Sequence, residues 1–153
     1  MHETTYTSPL GPIRLVADES ALLELTFGEA SRDDDSPVLA ATREQLDEYF
    51  AGARTTFDVP LRMEGTPWER RVWDVLLEIP YGKTTSYGAI AARLGAPGSA
   101  RAVGAANGRN PISIIVPCHR VIGASGALTG YGWGLERKSA LLDLERGALP
   151  LPV

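Results

Sequence analysis

Much of the chemistry available to proteins is closed to this chain by what it lacks. One cysteine, Cys118, stands in 153 residues, and there are two histidines, His2 and His119. A single thiol cannot close an internal disulfide, which fits a reducing compartment and a cytoplasmic location. One Cys and two His also fall short of the four ligands of a structural zinc site, or the three of a catalytic one. No apolar run nears the roughly 18 residues that span a bilayer. Met1 to Leu10 has no basic segment leading into an apolar one, so no signal peptide is read. Acid is missing locally as well: between Tyr81 and Leu135 there is no Asp or Glu, while Lys83, Arg93, Arg101, Arg109 and Arg120 are present. A stretch of one sign attracts phosphate.

The formal charge of −4 hides a division. Met1 to Gly65 carries 13 acidic and 5 basic residues, net −8, and the rest carries 6 and 10, net +4. The step coincides with Met63-Glu64-Gly65, read as a linker. It suggests two units: a supporting one over 1–65, and one over 66–153 that does the chemistry.

In the first unit, Thr4 to Thr7, Ile13 to Ala17 and the alternating Leu22 to Phe27 read as strands of an antiparallel sheet. Ser31 to Pro37 reads as a solvated acidic loop. Leu39, Leu46, Tyr49 and Phe50 recur at helical spacing, and Gly52 ends that helix. Thr55 to Val59 is expected to be a further strand. His2 is expected to lie at a mobile terminus.

The second unit reads as mostly helical. Thr66-Pro67-Trp68-Glu69 is a capping box with proline in the first turn. Trp68, Val72, Val75, Leu76 and Ile79 then form an apolar face up to Pro80. Thr85 or Ser86 caps a second helix that runs to Leu94. Ser99 caps a third that runs to Asn107. Two short helices joined by a glycine-containing turn form a helix-turn-helix candidate. Ile112 to Val116 is expected to be extended and buried, delivering Cys118 from the core. Gly123 to Gly134 is a glycine-rich hairpin or loop, and Leu135 to Arg146 an amphipathic helix. The expected class is α+β: a small α/β unit with an antiparallel sheet, followed by a winged-helix-like helical unit.

Pro117-Cys118-His119-Arg120 places an imidazole beside the thiol, the minimum for a nucleophile with a base. A lone buried cysteine is more often a small hydrophobe, so its surroundings decide. The third helix is almost all small residues, with Arg101 projecting near its start. It lacks the several polar side chains that read base edges in the major groove. It suits close, sequence-independent approach to DNA, with one arginine as a wedge.

At this point the residues resemble a known family, the O6-alkylguanine-DNA alkyltransferases, also called methylated-DNA–protein-cysteine methyltransferases. The resemblance rests on Pro117-Cys118-His119-Arg120-Val121, together with Pro80-Tyr81-Gly82, Ser86-Tyr87, Ala100 to Gly104, Asn110-Pro111, Gly130-Tyr131, Glu136-Arg137-Lys138 and Leu141-Leu142 through Glu145. It covers Thr66 to about Gly147. Met1 to Gly65 matches in size and strand-rich pattern.

The resemblance implies direct-reversal repair: alkyl transfer from O6-alkylguanine in double-stranded DNA to Cys118, irreversibly and once per molecule, with base flipping. O4-alkylthymine is the second implied substrate. His119 activates the thiol, through a water in relatives, and Glu145 orients His119. Arg101 fills the gap left by the flipped nucleotide, and Ser99, Ala102 and Gly104 lie with it on the DNA-binding helix. Tyr87 crowds the backbone phosphate and donates a proton to the base. Asn110 stabilises the turn before the active site. Tyr131, Gly132, Val121 and Trp133 form the alkylguanine pocket. Gly132 stands where relatives often have serine, and Trp133 where some have glycine. The N-terminal zinc ligands of some relatives are missing. No metal, cofactor, membrane or obligate protein partner is implied, and a monomer is expected.

Physically, ionising the thiol supplies about tenfold in rate, roughly 1.4 kcal/mol, whereas orientation in a pocket supplies about 7–11 kcal/mol. Two other classes share parts of the pattern. A lesion-flagging module needs no reactive thiol. A cysteine hydrolase or redox thiol needs an oxyanion hole or a resolving cysteine, and neither is visible.

Overall fold

In the computed structural model the described residues are 1–128 and 130–147; Thr129, within the expected glycine-rich loop, and 148–153, at the end of the expected second unit, lie outside them. Strands β1 (His2–Ser8), β2 (Gly11–Ala17) and β3 (Leu22–Phe27) form an antiparallel sheet in the order β1-β2-β3. His2 is not at a loose end: it pairs with Ala17 and its Nε2 lies 3.0 Å from Glu19. The acidic loop is tied back to β1, with the Glu3 N–H donating to Asp34 and Thr4 Oγ1 to Asp33.

Helix α1 (Pro37–Phe50) lays Leu39, Leu46, Tyr49 and Phe50 against the sheet, all fully buried. Ser36 caps it by accepting from the Leu39 N–H. Thr55 to Val59 is not a strand. This segment has no ladder partner, and only Leu61 makes a single bridge, to Leu22. Its Thr, Phe and Val favour an extended chain, but β3 meets it only past its end, where the Leu22 N–H donates to Pro60 O at 2.8 Å and the Arg62 N–H to Leu22 O at 3.0 Å.

Helix α2 (Pro67–Leu77) begins with the expected capping box, Thr66 Oγ1 and Glu69 each closing on the other's backbone. The two-residue strand β4 (Thr85–Ser86) leads into α3 (Tyr87–Arg93), capped by Ser86, and then α4 (Ala100–Gly108). Ser99 makes no side-chain cap, so α4 starts without the closure its sequence suggests. Helices α2, α3 and α4 pack together through Val72, Trp73, Ile90, Ala91, Val103 and Ala106, and Trp73 Nε1 donates to the Ala106 carbonyl at 2.9 Å.

A single 3₁₀ turn, Cys118–Arg120, precedes β5 (Val121–Ile122), which pairs in parallel with β4. Helix α5 (Leu135–Glu145) closes the described chain. No helix among the described residues is long and apolar enough to cross a membrane.

Candidate active site

The segment that delivers Cys118 is not extended. Ile112 to Val116 folds into tight turns, for a reason visible residue by residue. Asn110 Oδ1 accepts from the Ile112 N–H at 2.9 Å, and its Nδ2 donates to the Val116 carbonyl at 2.7 Å, closing the loop from inside. Strand β3 grips it from outside: the Leu25 N–H donates to Pro111 O at 2.9 Å and the Ser113 N–H to Leu25 O at 3.0 Å. Between these anchors Ile114 takes φ 70°, with the Ile115 N–H bonded to Ser113 O at 2.8 Å. That is a strained γ-turn, and a left-handed conformation at a β-branched residue costs about 1–3 kcal/mol. Pro117 (φ −82°, ψ 65°) makes an inverse γ-turn, with the Cys118 N–H on Val116 O. The bends turn a buried apolar segment towards the cavity.

Cys118, 4% exposed, helps to line a cavity of about 170 Å³ together with Asn107, Gly108, Asn110, Ser113, Gly130, Tyr131, Gly132 and Trp133. This is smaller than the usual ligand pocket and suits one heterocycle better than an extended molecule. Trp133 Nε1 donates to Ser113 Oγ at 3.0 Å, which fixes the wall. Of the expected pocket residues, Tyr131, Gly132 and Trp133 line it. Val121 does not: its side chain is buried and its carbonyl accepts from Lys138 Nζ at 2.6 Å.

Burial pushes the Cys118 thiol up, opposed by the polar side chains of Asn110 and Ser113 and by the charge of Lys138. An imidazole next in sequence therefore does not lower the resting pKa of this thiol. The buried sulfur needs a base at the moment of reaction.

Behind it stands a closed charge network. His119 is fully buried and its Nε2 lies 2.8 Å from Glu145 Oε2. Arg120 donates to both carboxylate oxygens, Nε to Oε1 at 2.7 Å and an Nη to Oε2 at 3.0 Å, and to Ile79 O at 2.7 Å. Tyr49 Oη donates to the same Oε2 at 2.6 Å. Burial alone raises a carboxyl pKa, yet hydrogen bonds and charge from His119 and Arg120 bring Glu145 down to about 2. Burial also holds His119 below its usual value, with Glu145 pulling the other way. A neutral imidazole donating from Nε2 to the carboxylate leaves Nδ1 as a lone-pair acceptor. Nδ1 is buried and has no hydrogen-bond partner among the described residues.

The sequence pointed to Arg120 as one of the cations offered to phosphate. It is 7% exposed and committed to Glu145, because a buried carboxylate needs a paired charge. Arg93 and Arg109 are likewise paired, with Glu78 and Glu69. Arg101 is exposed and makes no ion pair among the described residues. It lines an open groove of about 440 Å³ with Tyr87, Ala100, Gly104 and Gly130. Gly130 also lines the Cys118 cavity, so groove and cavity adjoin there. Tyr87 Oη stands at this junction, donating to Gly130 O at 3.4 Å. Of the other expected groove residues, Ala102 faces solvent and Ser99 is half-buried at the start of α4.

Sequence reasoning missed Tyr49 and Lys138. Lys138, Leu141, Leu142 and Glu145 fall on one helical face, a spacing that marks both charged residues as buried. Tyr49 was legible as core, but its hydroxyl partner, 96 residues away, was not.

A buried thiol, a histidine held by a buried carboxylate and an adjoining groove beside α3 and α4 bring a nucleophile, a base and an open cationic surface together. Residues 1–63 match the model of the 6-O-methylguanine DNA methyltransferase ribonuclease-like domain, and 67–147 that of the 6-O-methylguanine DNA methyltransferase DNA binding domain. The methylated-DNA–protein-cysteine methyltransferase of Mycobacterium bovis is 54% identical, over 98% of this chain and 95% of its own length. The constitutive enzyme of that name from Bacillus subtilis is 44% identical, over 94% of each chain. The crystal structure of Mycobacterium tuberculosis OGT in complex with DNA superposes with a TM-score of 0.91 at 53% identity, covering 98% of this chain and 96% of that one. The chain belongs to the 6-O-methylguanine DNA methyltransferase family, whose work is alkyltransferase DNA repair.

Proposed function

We propose that this protein removes the alkyl group from O6-alkylguanine in double-stranded DNA and keeps it on Cys118, one lesion per molecule. The observation that carries the reading is the position of Cys118. It lies in a cavity sized for one base, with a neutral histidine behind it and the Arg101 groove in front. A base stacked in a duplex cannot reach a thiol that is 4% exposed, so the nucleotide must leave the helix. Arg101 fills the gap it leaves, with Ser99, Ala102 and Gly104 bringing α4 close to the backbone.

The thiol proton passes through one bridging water to His119 Nδ1, and Glu145 stabilises the imidazolium that forms. Sulfur attacks the alkyl carbon in line. The S–C bond forms, the C–O6 bond breaks, and Tyr87 donates its phenolic proton to the departing guanine. The product is a thioether, and a chain with one cysteine has no second thiol to reverse it. Asn110 holds the turn that aims the sulfur, and Tyr131, Gly132 and Trp133 enclose the base, with Val121 behind them. O4-alkylthymine offers the same alkyl–oxygen bond and is the second substrate. Residues 1–65 support the site and 66–153 bind DNA and carry the transfer. The protein acts as a monomer in the cytoplasm, without metal or cofactor.

The test is intact-mass spectrometry after mixing with one equivalent of duplex containing O6-methylguanine, with Cys118→Ala as control. A gain of one methylene, mapped to Cys118 and absent in the control, is expected. Selective binding to the lesion with unchanged mass would instead make the protein a flagging module.

A further inference from the structure

We propose that Tyr49, on α1, is a positioning residue of the transfer: its hydroxyl holds Glu145 Oε2 and so sets how strongly His119 takes the thiol proton. The inference rests on the reading of His119 as the base for Cys118. Tyr49 is fully buried, and its ring packs on Phe50, Phe57 and Tyr81 with centroids 5.2, 5.5 and 6.3 Å away. Phenylalanine would satisfy that packing. The hydroxyl therefore answers to something else, and its partner, at 2.6 Å, is the carboxylate that orients the imidazole.

Glu145 does not need this donor to be neutralised, since the Arg120 guanidinium already spans both oxygens. The donors are unevenly shared. Oε2 receives Tyr49, His119 and an Arg120 Nη, whereas Oε1 receives Arg120 Nε. Tyr49 thus competes with His119 for one oxygen. A donor on that oxygen spreads its charge and weakens its hold on the imidazole proton. The other groups facing this network are Arg120, with its guanidinium over the Tyr81 ring at 5.7 Å, Tyr81 itself, Lys138 on α5, Cys118 and Tyr131. None of them reaches Glu145 from the first 65 residues. Tyr49 does, so the N-terminal half takes part in tuning the base.

The measurement is the pH dependence of single-turnover methyl transfer from O6-methylguanine duplex by the full chain. Four proteins are compared: wild type, Tyr49→Phe, 3-fluorotyrosine at position 49, and Tyr6→Phe. Tyr6 lies in the same half and donates to a carboxylate, Asp47, at 2.7 Å. Its loss matches a purely structural defect. In Tyr49→Phe the acid limb of the profile is expected to move up by roughly half to one unit, because His119 protonates more readily without the competing donor. Fluorotyrosine keeps the ring and hydroxyl but donates more strongly, so it moves the limb down. Tyr6→Phe leaves the limb in place. An acid limb at the wild-type position in both Tyr49 proteins would overturn the inference while leaving methyl transfer intact. If wild type itself transfers no methyl group, the reading of His119 as a base falls, and this inference with it. Fluorotyrosine decides the matter even where Tyr49→Phe fails to fold.

Discussion

The two sides of the Cys118 cavity are built on opposite rules. Behind the thiol, His119, Arg120 and Glu145 are at most 7% exposed, and their charges are paired. In front, α4 turns Arg101, Ala102, Ala105 and Gly108 to solvent, and Arg101 has no ion pair among the described residues. The rear side is preorganised in a low dielectric, where losing one donor leaves another group stranded. The front side is in water, where a single charge does little until a polyanion arrives. On the proposed function, chemistry is stored behind and recognition is deferred in front.

The largest expected effect comes from attacking the rear. Glu145→Gln leaves Arg120 buried without its charge partner and His119 without its orienting carboxylate. Stability should fall by about 3–5 kcal/mol, and transfer by at least ~100-fold, read by urea unfolding and single-turnover rates. Acid tests the same contact without mutation. The Glu145 pKa is about 2 folded against 4.5 in the unfolded chain. Its contribution is therefore complete above 4.5 and lost as pH falls towards 2. The amount is about 3 kcal/mol, measured as the change in unfolding free energy between pH 6 and pH 2.5. Glu145→Gln should lack this share of the acid dependence.

On the front side, Arg101→Ala should lower transfer from duplex DNA about tenfold by removing the proposed wedge, with the melting temperature unchanged. Equal losses of stability in Arg101→Ala and Glu145→Gln would erase the distinction between the sides. The smallest effect belongs to a site remote from both: Thr66→Ala should cost α2 about 1 kcal/mol and leave the transfer rate as it was.

The elements that hold the site were readable because their signals are local. The capping box of α2, helical spacing and a cap at Thr85 or Ser86 need only neighbours in sequence, and α1, α2 and α3 lie where those signals put them, with Ser86 as the cap. What stayed hidden depends on distant partners. Thr55 to Val59 has strand chemistry but β3 gives it no ladder. Ile112 to Val116 reads as extended because every residue but Ser113 is apolar and β-branched, yet Asn110 and Leu25 force it into turns. Arg120 reads as a surface cation in an acid-free stretch, and only the return of α5 brings Glu145 against it. The thiol, the imidazole and Arg101 could be named from motif and spacing. The donor from Tyr49 could not, because a hydroxyl partner 96 residues away has no sequence signature.

The most direct test of the two-sided account is to measure methyl transfer to Cys118 from two donors, O6-methylguanine in a duplex and O6-methylguanine as the free base. Arg101→Ala and Glu145→Gln are each compared with wild type. The account predicts that Arg101→Ala is slow on duplex and normal on free base, while Glu145→Gln is slow on both. A Glu145→Gln protein that methylates itself from the free base at the wild-type rate would contradict it.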